Sequence, residues 1–380
     1  MVPFEFQPRT RVVFGPGSIE RVGQLARELT MQRTLLVADK GLVAAGHVGV
    51  AVKSLESAGI HVTPYHDFGE NPDSTMIDGG CRFAEPHQVD SIVAIGGGSS
   101  LDCAKGINFV LTNGGSISDY RGYGKAGTRL LPMIGIPTTA GTGSEAQSYA
   151  VISDAATHMK MACGDPSAAM RVAILDPQLT LTAPRHVTAM AGFDAIAHAV
   201  ETAATVRRTP MSDTFSHRAW RLLNGAFERV MLHPSDADAR AAMQLGSHFA
   251  GIAIEQSMLG AAHACANPLT ARYNLPHGLA LAILLPRVVR WNAEVASENY
   301  AALLGSPRRR ARDEDAAETL ALRLEDLALA GGLAVTLSDS GVEEWTLPEL
   351  AVQAAAQWTG TFNPRPFDAD GALEIYRAAW

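Results

Sequence analysis

Four residues of metal-binding type stand out in this chain. Asp194 and His198 lie in Gly-Phe-Asp-Ala-Ile-Ala-His-Ala-Val-Glu, His263 in Gly-Ala-Ala-His-Ala-Cys, and His277 in Leu-Pro-His-Gly. The first stretch reads as helix, and residues four apart share one helix face. A carboxylate and an imidazole placed so can reach a single point. One oxygen and three ring nitrogens, with no thiolate, suit a borderline divalent ion such as Fe(II) or Zn(II). Such a set can keep one coordination position open for a small molecule, which marks a catalytic rather than a structural ion. A plainer reading stands beside this one. The chain has 12 histidines, and histidines are mostly surface or satisfied core residues. Spacing alone leaves both readings open. Cys265, close to His263, reads as a packing residue rather than a ligand.

Two loops have the composition of anion cradles. Ser91 to Asp102 runs as an apolar strand, then Gly96, Gly97 and Gly98, then a helix start at which Ser99 or Ser100 can cap. Backbone N–H groups and the helix dipole there would face an anion, ideally a pyrophosphate. The stretch is not the G-x-G-x-x-G fingerprint, and an ordinary tight turn remains an alternative. The second loop, Ile136-Pro137-Thr138-Thr139-Ala140-Gly141-Thr142-Gly143-Ser144-Glu145, also follows a strand, and Thr142 and Glu145 have capping-box spacing for a following helix. Two such loops at strand ends suit ligand binding at the crevice of an open α/β sheet. Asp39 ends a further strand; it can accept from a ribose hydroxyl and repel a 2′-phosphate, or simply cap the next helix.

The elements that would position these residues fall into two regions. Candidate strands are Arg11–Phe14, Thr34–Ala38, His61–Tyr65, Ser91–Ile95, Met133–Ile136 and Val172–Leu175, with amphipathic stretches at Leu42–Ala58 and Ser74–Ala84. Strand–helix alternation predicts a parallel sheet covered on both faces. From about Pro184 the texture becomes Ala- and Leu-rich with helical spacing, beginning with a helix over Arg185–Ala204. The expected organisation is an α/β dinucleotide-binding domain over 1–182 and an all-α metal-binding domain over 183–380.

Bulk properties narrow the function. At 380 residues, with 47% hydrophobic residues and mean hydropathy +0.05, the chain is globular and long enough for two domains. A net charge of −8 argues against a nucleic-acid partner. The basic run Arg308-Arg309-Arg310 with Arg312 is followed at once by Asp313, Glu314 and Asp315, and reads as a solvated turn. Cys81, Cys103, Cys163 and Cys265 are scattered, as in reduced thiols of a cytoplasmic protein. No signal-peptide pattern opens the chain and no apolar run could span a bilayer, so a soluble cytoplasmic protein without membrane attachment is expected.

Taken together, these segments resemble the iron-containing (group III) alcohol dehydrogenase family. The matching stretches are Arg-Val-Val-Phe-Gly-Pro-Gly, Ala-Ile-Gly-Gly-Gly-Ser-Ser-Leu-Asp, Ile-Pro-Thr-Thr-Ala-Gly-Thr-Gly-Ser-Glu, Phe-Asp-Ala-Ile-Ala-His-Ala-Val-Glu, Leu-Pro-His-Gly and Asn363-Pro364-Arg365-Pro366. The resemblance covers nearly the whole chain. It implies that Asp194, His198, His263 and His277 are ligands of a catalytic ion, in a cleft between the two domains. It implies that Asp39 reads the adenosine ribose, that Gly97, Gly98 and Ser99 cradle the pyrophosphate, and that Thr138, Thr139 and Thr142 contact the cofactor. Asn71, Asp102, Lys160 and Leu179 are further cofactor-cleft positions on the same ground. One departure is Asn267, where the family usually has a histidine near substrate that assists proton movement. Asn cannot titrate, so a relay must run through water, ribose hydroxyls or another residue.

The activity this implies is reversible hydride transfer between a nicotinamide, NAD(H) in preference to NADP(H), and a small alcohol or aldehyde, with Fe(II) or Zn(II) as Lewis acid. A homodimer or larger homo-oligomer is the family tendency. The competing readings are a maleylacetate reductase-like enzyme, a glycerol dehydrogenase-like zinc enzyme, a dehydroquinate synthase-like lyase and a non-enzymatic nucleotide sensor. The lyase would need several basic residues to grip a phosphorylated acid, and no such cluster accompanies the candidate ligands.

Overall fold

The computed structural model describes residues 3–305 and 316–380; the charged run at Arg308 to Asp315 lies outside the described residues. The chain divides into two compact units, Gln7–Ala183 and Pro184–Trp380, the latter joined by the N-terminal segment up to Phe6.

In the first unit the strands are β1 (Arg11–Phe14), β2 (Arg33–Ala38), β3 (His61–Tyr65), β4 (Ser91–Gly96), β5 (Gly122–Tyr123), β6 (Met133–Pro137), β7 (Tyr149–Ser153), β8 (Lys160–Gly164) and β9 (Val172–Leu175). The helices are α1 (Val22–Glu28), α2 (Lys40–Ala44), α3 (His47–Ser57), α4 (Ser74–Ala84) and α5 (Gly98–Asn113). Six strands form one parallel sheet in the order β1-β9-β6-β4-β2-β3. Side chains alternate across it with period two. Leu35, Val37, Ile92 and Ala94 pack on one face with Ile77, Cys81, Leu101 and Ile107 of α4 and α5. Leu36, Ala38, Val93 and Ile95 pack on the other with Val22, Leu25, Ala51 and Leu55 of α1 and α3. Strands apolar on both sides can be satisfied only by covering both faces. The strand order reverses beside β2, since β3 lies to one side of it and β4 to the other. Ala38 pairs with Ile95 and Gly96 with Pro137, so the C-terminal ends of β2, β4 and β6 are level. Open α/β sheets bind ligands at such a point.

Three expectations need correction. The stretch Leu42–Ala58 is not one helix: α2 and α3 are separated at Ala45 and Gly46, and Gly46 has φ 83°. That left-handed conformation ends a helix, and glycine adopts it without steric cost. No helix follows Thr142. A short 3-10 turn over Ser144–Ala146 has Gly143 before it with no side-chain cap, and the chain then enters β7. The capping-box spacing of Thr142 and Glu145 is therefore unused. Finally, β5, β8 and β7 make a small second sheet that the sequence did not announce. Lys-Met-Ala-Cys-Gly of β8 has no β-branched residue. Its Met161 and Cys163 instead join Ala150 and Ile152 in the core beneath α4 and α5, where burial rather than propensity decides.

The second unit is helical: α6 (Arg185–Thr202), α7 (Pro210–Leu232), α8 (Ala237–Ser257), α9 (Ala261–Tyr273), α10 (His277–Trp291), α11 (Ala293–Leu303), α12 (Ala316–Gly331), α13 (Leu347–Ala355) and α14 (Ala369–Ala379). Helix α6 is its axis. Every residue from Gly192 to Thr202 is buried, as a helix surrounded by α7, α8 and α10 requires. Gly278 lets α10 abut α6, because a Cβ there would lie 2.1 Å from the Met190 carbonyl oxygen. That contact brings the first residue of α10, His277, to the turn of α6 that carries Asp194. Among the described residues no helix is long and apolar enough to cross a membrane.

Candidate metal centre and nucleotide loops

In the helical unit Asp194 and His198 project from the same face of α6, His263 from the first turn of α9 and His277 from the start of α10. Asp194 Oδ1 is the common point. It lies 3.3 Å from His198 Nε2, 3.7 Å from His263 Nε2 and 3.9 Å from His277 Nε2. Donor atoms of Asp194, His263 and His277 all fall within 4.8 Å of one another; His198 is not part of that trio. The His198 ring instead stacks on His263, with centroids 4.8 Å apart and planes at 18°.

These residues fit a divalent ion. Asp194 Oδ1 and His263 Nε2 are buried without a hydrogen-bond partner, a costly arrangement for groups left alone. Two donors about 2.1 Å from a shared ion at the tetrahedral angle stand about 3.4 Å apart, close to the observed separations. Charge also agrees. Burial pushes the Asp194 carboxyl up, but the imidazoles of His198, His277 and His263 hold it well below the usual carboxylate range. Burial would lower His263, yet the Glu201 and Asp194 carboxylates raise it to about 9.

Glu201 escaped the sequence reading as a site residue. It lies one turn beyond His198 on α6, so the i, i+4, i+7 spacing of Asp194, His198 and Glu201 was the available signal. Its Oε2 bonds His263 Nδ1, and its Oε1 accepts from the Ala262 backbone N–H at 2.7 Å. Asn363, quoted above only as part of a motif, accepts from Ala261 N at 3.2 Å and is paired with Asn292 through bonds of 3.1 and 2.8 Å. Asn267, one turn after His263, is occupied structurally: its amide donates to Gln357 Oε1 at 3.2 Å.

In the α/β unit the two loops meet. Thr138 N–H donates to Gly96 O at 3.0 Å. A Cβ on Gly98 would lie 2.5 Å from Thr142 Cγ2, and one on Gly97 would lie 3.3 Å from Thr139 Oγ1. The glycines thus serve loop-on-loop packing as well as open backbone. Neither Ser99 nor Ser100 caps α5: Gly97 precedes the helix without a side-chain cap. Ser99 Oγ instead accepts from Asn71 N–H at 3.2 Å, and Ser100 Oγ reaches Asp39 Oδ2 at 3.4 Å. No side chain therefore covers the first N–H groups of α5, at Gly98 and Ser99, as an anion site needs. Asp39 does cap α2, accepting from Leu42 N–H at 3.2 Å with Oδ1.

The remaining candidates are scattered around this loop. Asn71 is exposed with φ 49°. Asp102 accepts from Ser144 Oγ at 2.6 Å and Val151 N–H at 3.2 Å, and burial pushes its carboxyl up. Lys160 starts β8 opposite Ser153. Leu179 puts its side chain into the sheet core, and its backbone N–H and carbonyl are engaged by Asp176 O at 3.1 Å and Thr182 Oγ1 at 3.2 Å. Lys105 was missed. Fully buried, it donates to the carbonyls of Ser144, Gln147 and Tyr149 at 2.7 to 2.8 Å and to Ser144 Oγ at 3.0 Å, pinning the threonine loop from beneath.

Comparison with known proteins agrees with both halves. A family model described as iron-containing alcohol dehydrogenase matches residues 8–177, and one described as Fe-containing alcohol dehydrogenase family, C-terminal, matches residues 188–380. The NAD-dependent methanol dehydrogenase of Bacillus methanolicus is 32% identical over 370 residues, 97% of each chain. The 1,3-propanediol dehydrogenase of Klebsiella pneumoniae is 34% identical over 372 residues, 97% of this chain and 96% of that one. A crystal structure of a 1,3-propanediol oxidoreductase superposes with TM-score 0.95 at 33% identity, covering 100% of both chains. The chain belongs to the iron-containing alcohol dehydrogenase family. It is an oxidoreductase with that family's parallel α/β region followed by a helical one.

Proposed function

We propose that this enzyme is a metal-dependent, NAD(P)-linked alcohol dehydrogenase and aldehyde reductase acting on small alcohols and aldehydes. The observation that carries the reading is the convergence of three imidazole nitrogens within 3.9 Å of one buried aspartate oxygen. Asp194, His198, His263 and His277 would hold the ion, which supplies Lewis acidity toward a substrate oxygen. Fe(II) is the proposed ion on family grounds; the same donor set accommodates Zn(II).

The nicotinamide cofactor supplies the hydride chemistry. The uncapped N–H groups at the start of α5, around Gly97, Gly98 and Ser99, would take its pyrophosphate. Thr138, Thr139, Thr142, Asn71, Asp102, Lys160 and Leu179 would line the rest of its path. Asp39 would accept from the adenosine ribose and repel a 2′-phosphate, which favours NAD(H). Asn267 holds no titratable proton, so proton exchange there would use water or cofactor hydroxyls. A cytoplasmic homo-oligomer completes the proposal. The four buried free cysteines suit a reducing compartment, and β1 is a sheet edge with Val12 and Phe14 exposed. The maleylacetate reductase, glycerol dehydrogenase and dehydroquinate synthase readings are not favoured beside relatives named as alcohol and diol dehydrogenases.

The test is metal analysis of protein purified without added metal, followed by NADH oxidation over a panel of aldehydes and NAD reduction over the matching alcohols. Stoichiometric metal with turnover that a chelator abolishes is expected. Full turnover in protein stripped of metal would overturn the reading.

A further inference from the structure

We propose that Glu201 is a positioning residue that fixes the tautomer of His263, holding its proton on Nδ1 so that Nε2 is the ligating atom. The inference rests on the metal-centre reading above. Three observations carry it. The Glu201 carboxylate engages two N–H groups of one helix turn at once, the Ala262 backbone through Oε1 and the His263 ring through Oε2. The carboxylate is buried, as is the ring it meets. The opposite ring nitrogen, Nε2, has no hydrogen-bond partner and lies 3.7 Å from Asp194 Oδ1.

A neutral imidazole carries one proton, and the bond made by one nitrogen decides which atom is free to donate a lone pair. Carboxylate oxygens only accept, so Glu201 requires a hydrogen on Nδ1. Its charge also favours the start of α9, where the helix dipole is positive, and with Asp194 it offsets a divalent ion. Gly260 makes the arrangement possible, since a Cβ there would lie 3.0 Å from both Glu201 Oε1 and Asn363 Oδ1. Asn363 caps the neighbouring N–H of Ala261, whereas Glu201 takes Ala262 and the His263 ring, so the two caps of one helix can be separated experimentally.

Glu201→Gln is nearly isosteric but has one accepting oxygen. If that oxygen keeps Ala262, the amide NH₂ faces Nδ1 and demands its lone pair, which moves the ring proton to Nε2 and blocks the ligating position. Full-length protein, stripped and reloaded with zinc, is titrated in chelator competition beside His277→Ala and Asn363→Ala. The expected result is that E201Q binds zinc about 10- to 100-fold more weakly while N363A stays within about threefold of wild type. Wild-type affinity in E201Q, with H277A impaired, would overturn the positioning role alone. An equal loss in N363A would overturn it too, by assigning the effect to helix docking. Equal zinc binding by wild type and H277A would remove the metal centre itself. Should E201Q fail to fold, zinc-loaded wild type labelled with ¹⁵N-histidine decides, with His263 resonances assigned from His263→Ala. A proton on Nδ1 and metal on Nε2 support the proposal, and the reverse overturns it.

Discussion

The two candidate sites are built from different materials. In the α/β unit the anion site is backbone: the start of α5 has no side-chain cap, and Gly97 and Gly98 press against Thr139 and Thr142. In the helical unit the site is side chain: one carboxylate and three imidazoles from α6, α9 and α10, with Glu201 behind one of them. A backbone site depends on where the chain goes and tolerates changes in side-chain polarity. A side-chain site depends on donor atoms at fixed places, and each donor is needed. The two should therefore fail differently under mutation.

The largest effect belongs to the donors. His263→Ala or His277→Ala should lose metal and lower kcat/KM by about 10³-fold, several kcal/mol of Lewis-acid stabilisation, while NADH still binds by fluorescence titration. Retained turnover in metal-free variants would break the contrast. Next comes the buried lysine beneath the threonine loop. Lys105→Met leaves three carbonyls without their donor and should cost roughly 3 kcal/mol of stability, read as a lower denaturant midpoint with metal content intact in the folded fraction. Gly98→Ala should follow, because its Cβ would overlap Thr142. It should raise KM for NAD about 10- to 100-fold, a strain of about 1–3 kcal/mol, with metal content unchanged. Ser99→Ala at the next position should change that KM by no more than about threefold, since the backbone carries the contact. A larger loss in Ser99→Ala than in Gly98→Ala would show that the nucleotide site is a side-chain site after all.

Asp39→Ala sharpens the same point at the one side chain proposed to read the nucleotide. The NAD over NADP preference in kcat/KM should fall about tenfold; an unchanged ratio removes Asp39 from that role. A graded effect is expected with pH. With His263 raised to about 9, metal-free protein keeps that ring protonated at neutral pH. Below this value the ion must displace a proton, so zinc affinity should rise by about tenfold per pH unit from pH 7 and flatten above pH 9. Potentiometric proton release on zinc addition measures it, and a pH-independent affinity contradicts it.

Much of this was legible in the chain. The inner strands β2, β4, β6 and β9 were readable because each is an apolar run whose burial on both faces leaves little freedom in composition, and the more exposed edge strands β1 and β3 were readable from β-branched residues. The glycine and threonine loops were readable as loops, but their function as mutual packing partners was not, since nothing in Gly98 names Thr142. The cap assigned to Ser99 or Ser100 failed because those hydroxyls found Asn71 and Asp39 from other loops. The helix expected after Thr142 failed because a local spacing rule competes with the path the chain takes into β7.

Residue types, helix phase and the family likeness were settled by the amino-acid order alone: Asp194, His198 and Glu201 lie on one face of α6 whatever surrounds it. What only the folded chain could decide is which atoms meet. His263 and His277 reach Asp194 because Gly278 admits α10 to the backbone of α6 and Gly260 admits two oxygens to the start of α9. Hydrogen bonds and ligand contacts act over a few ångströms. Residues dozens of positions apart satisfy that range only through packing, which no local pattern encodes.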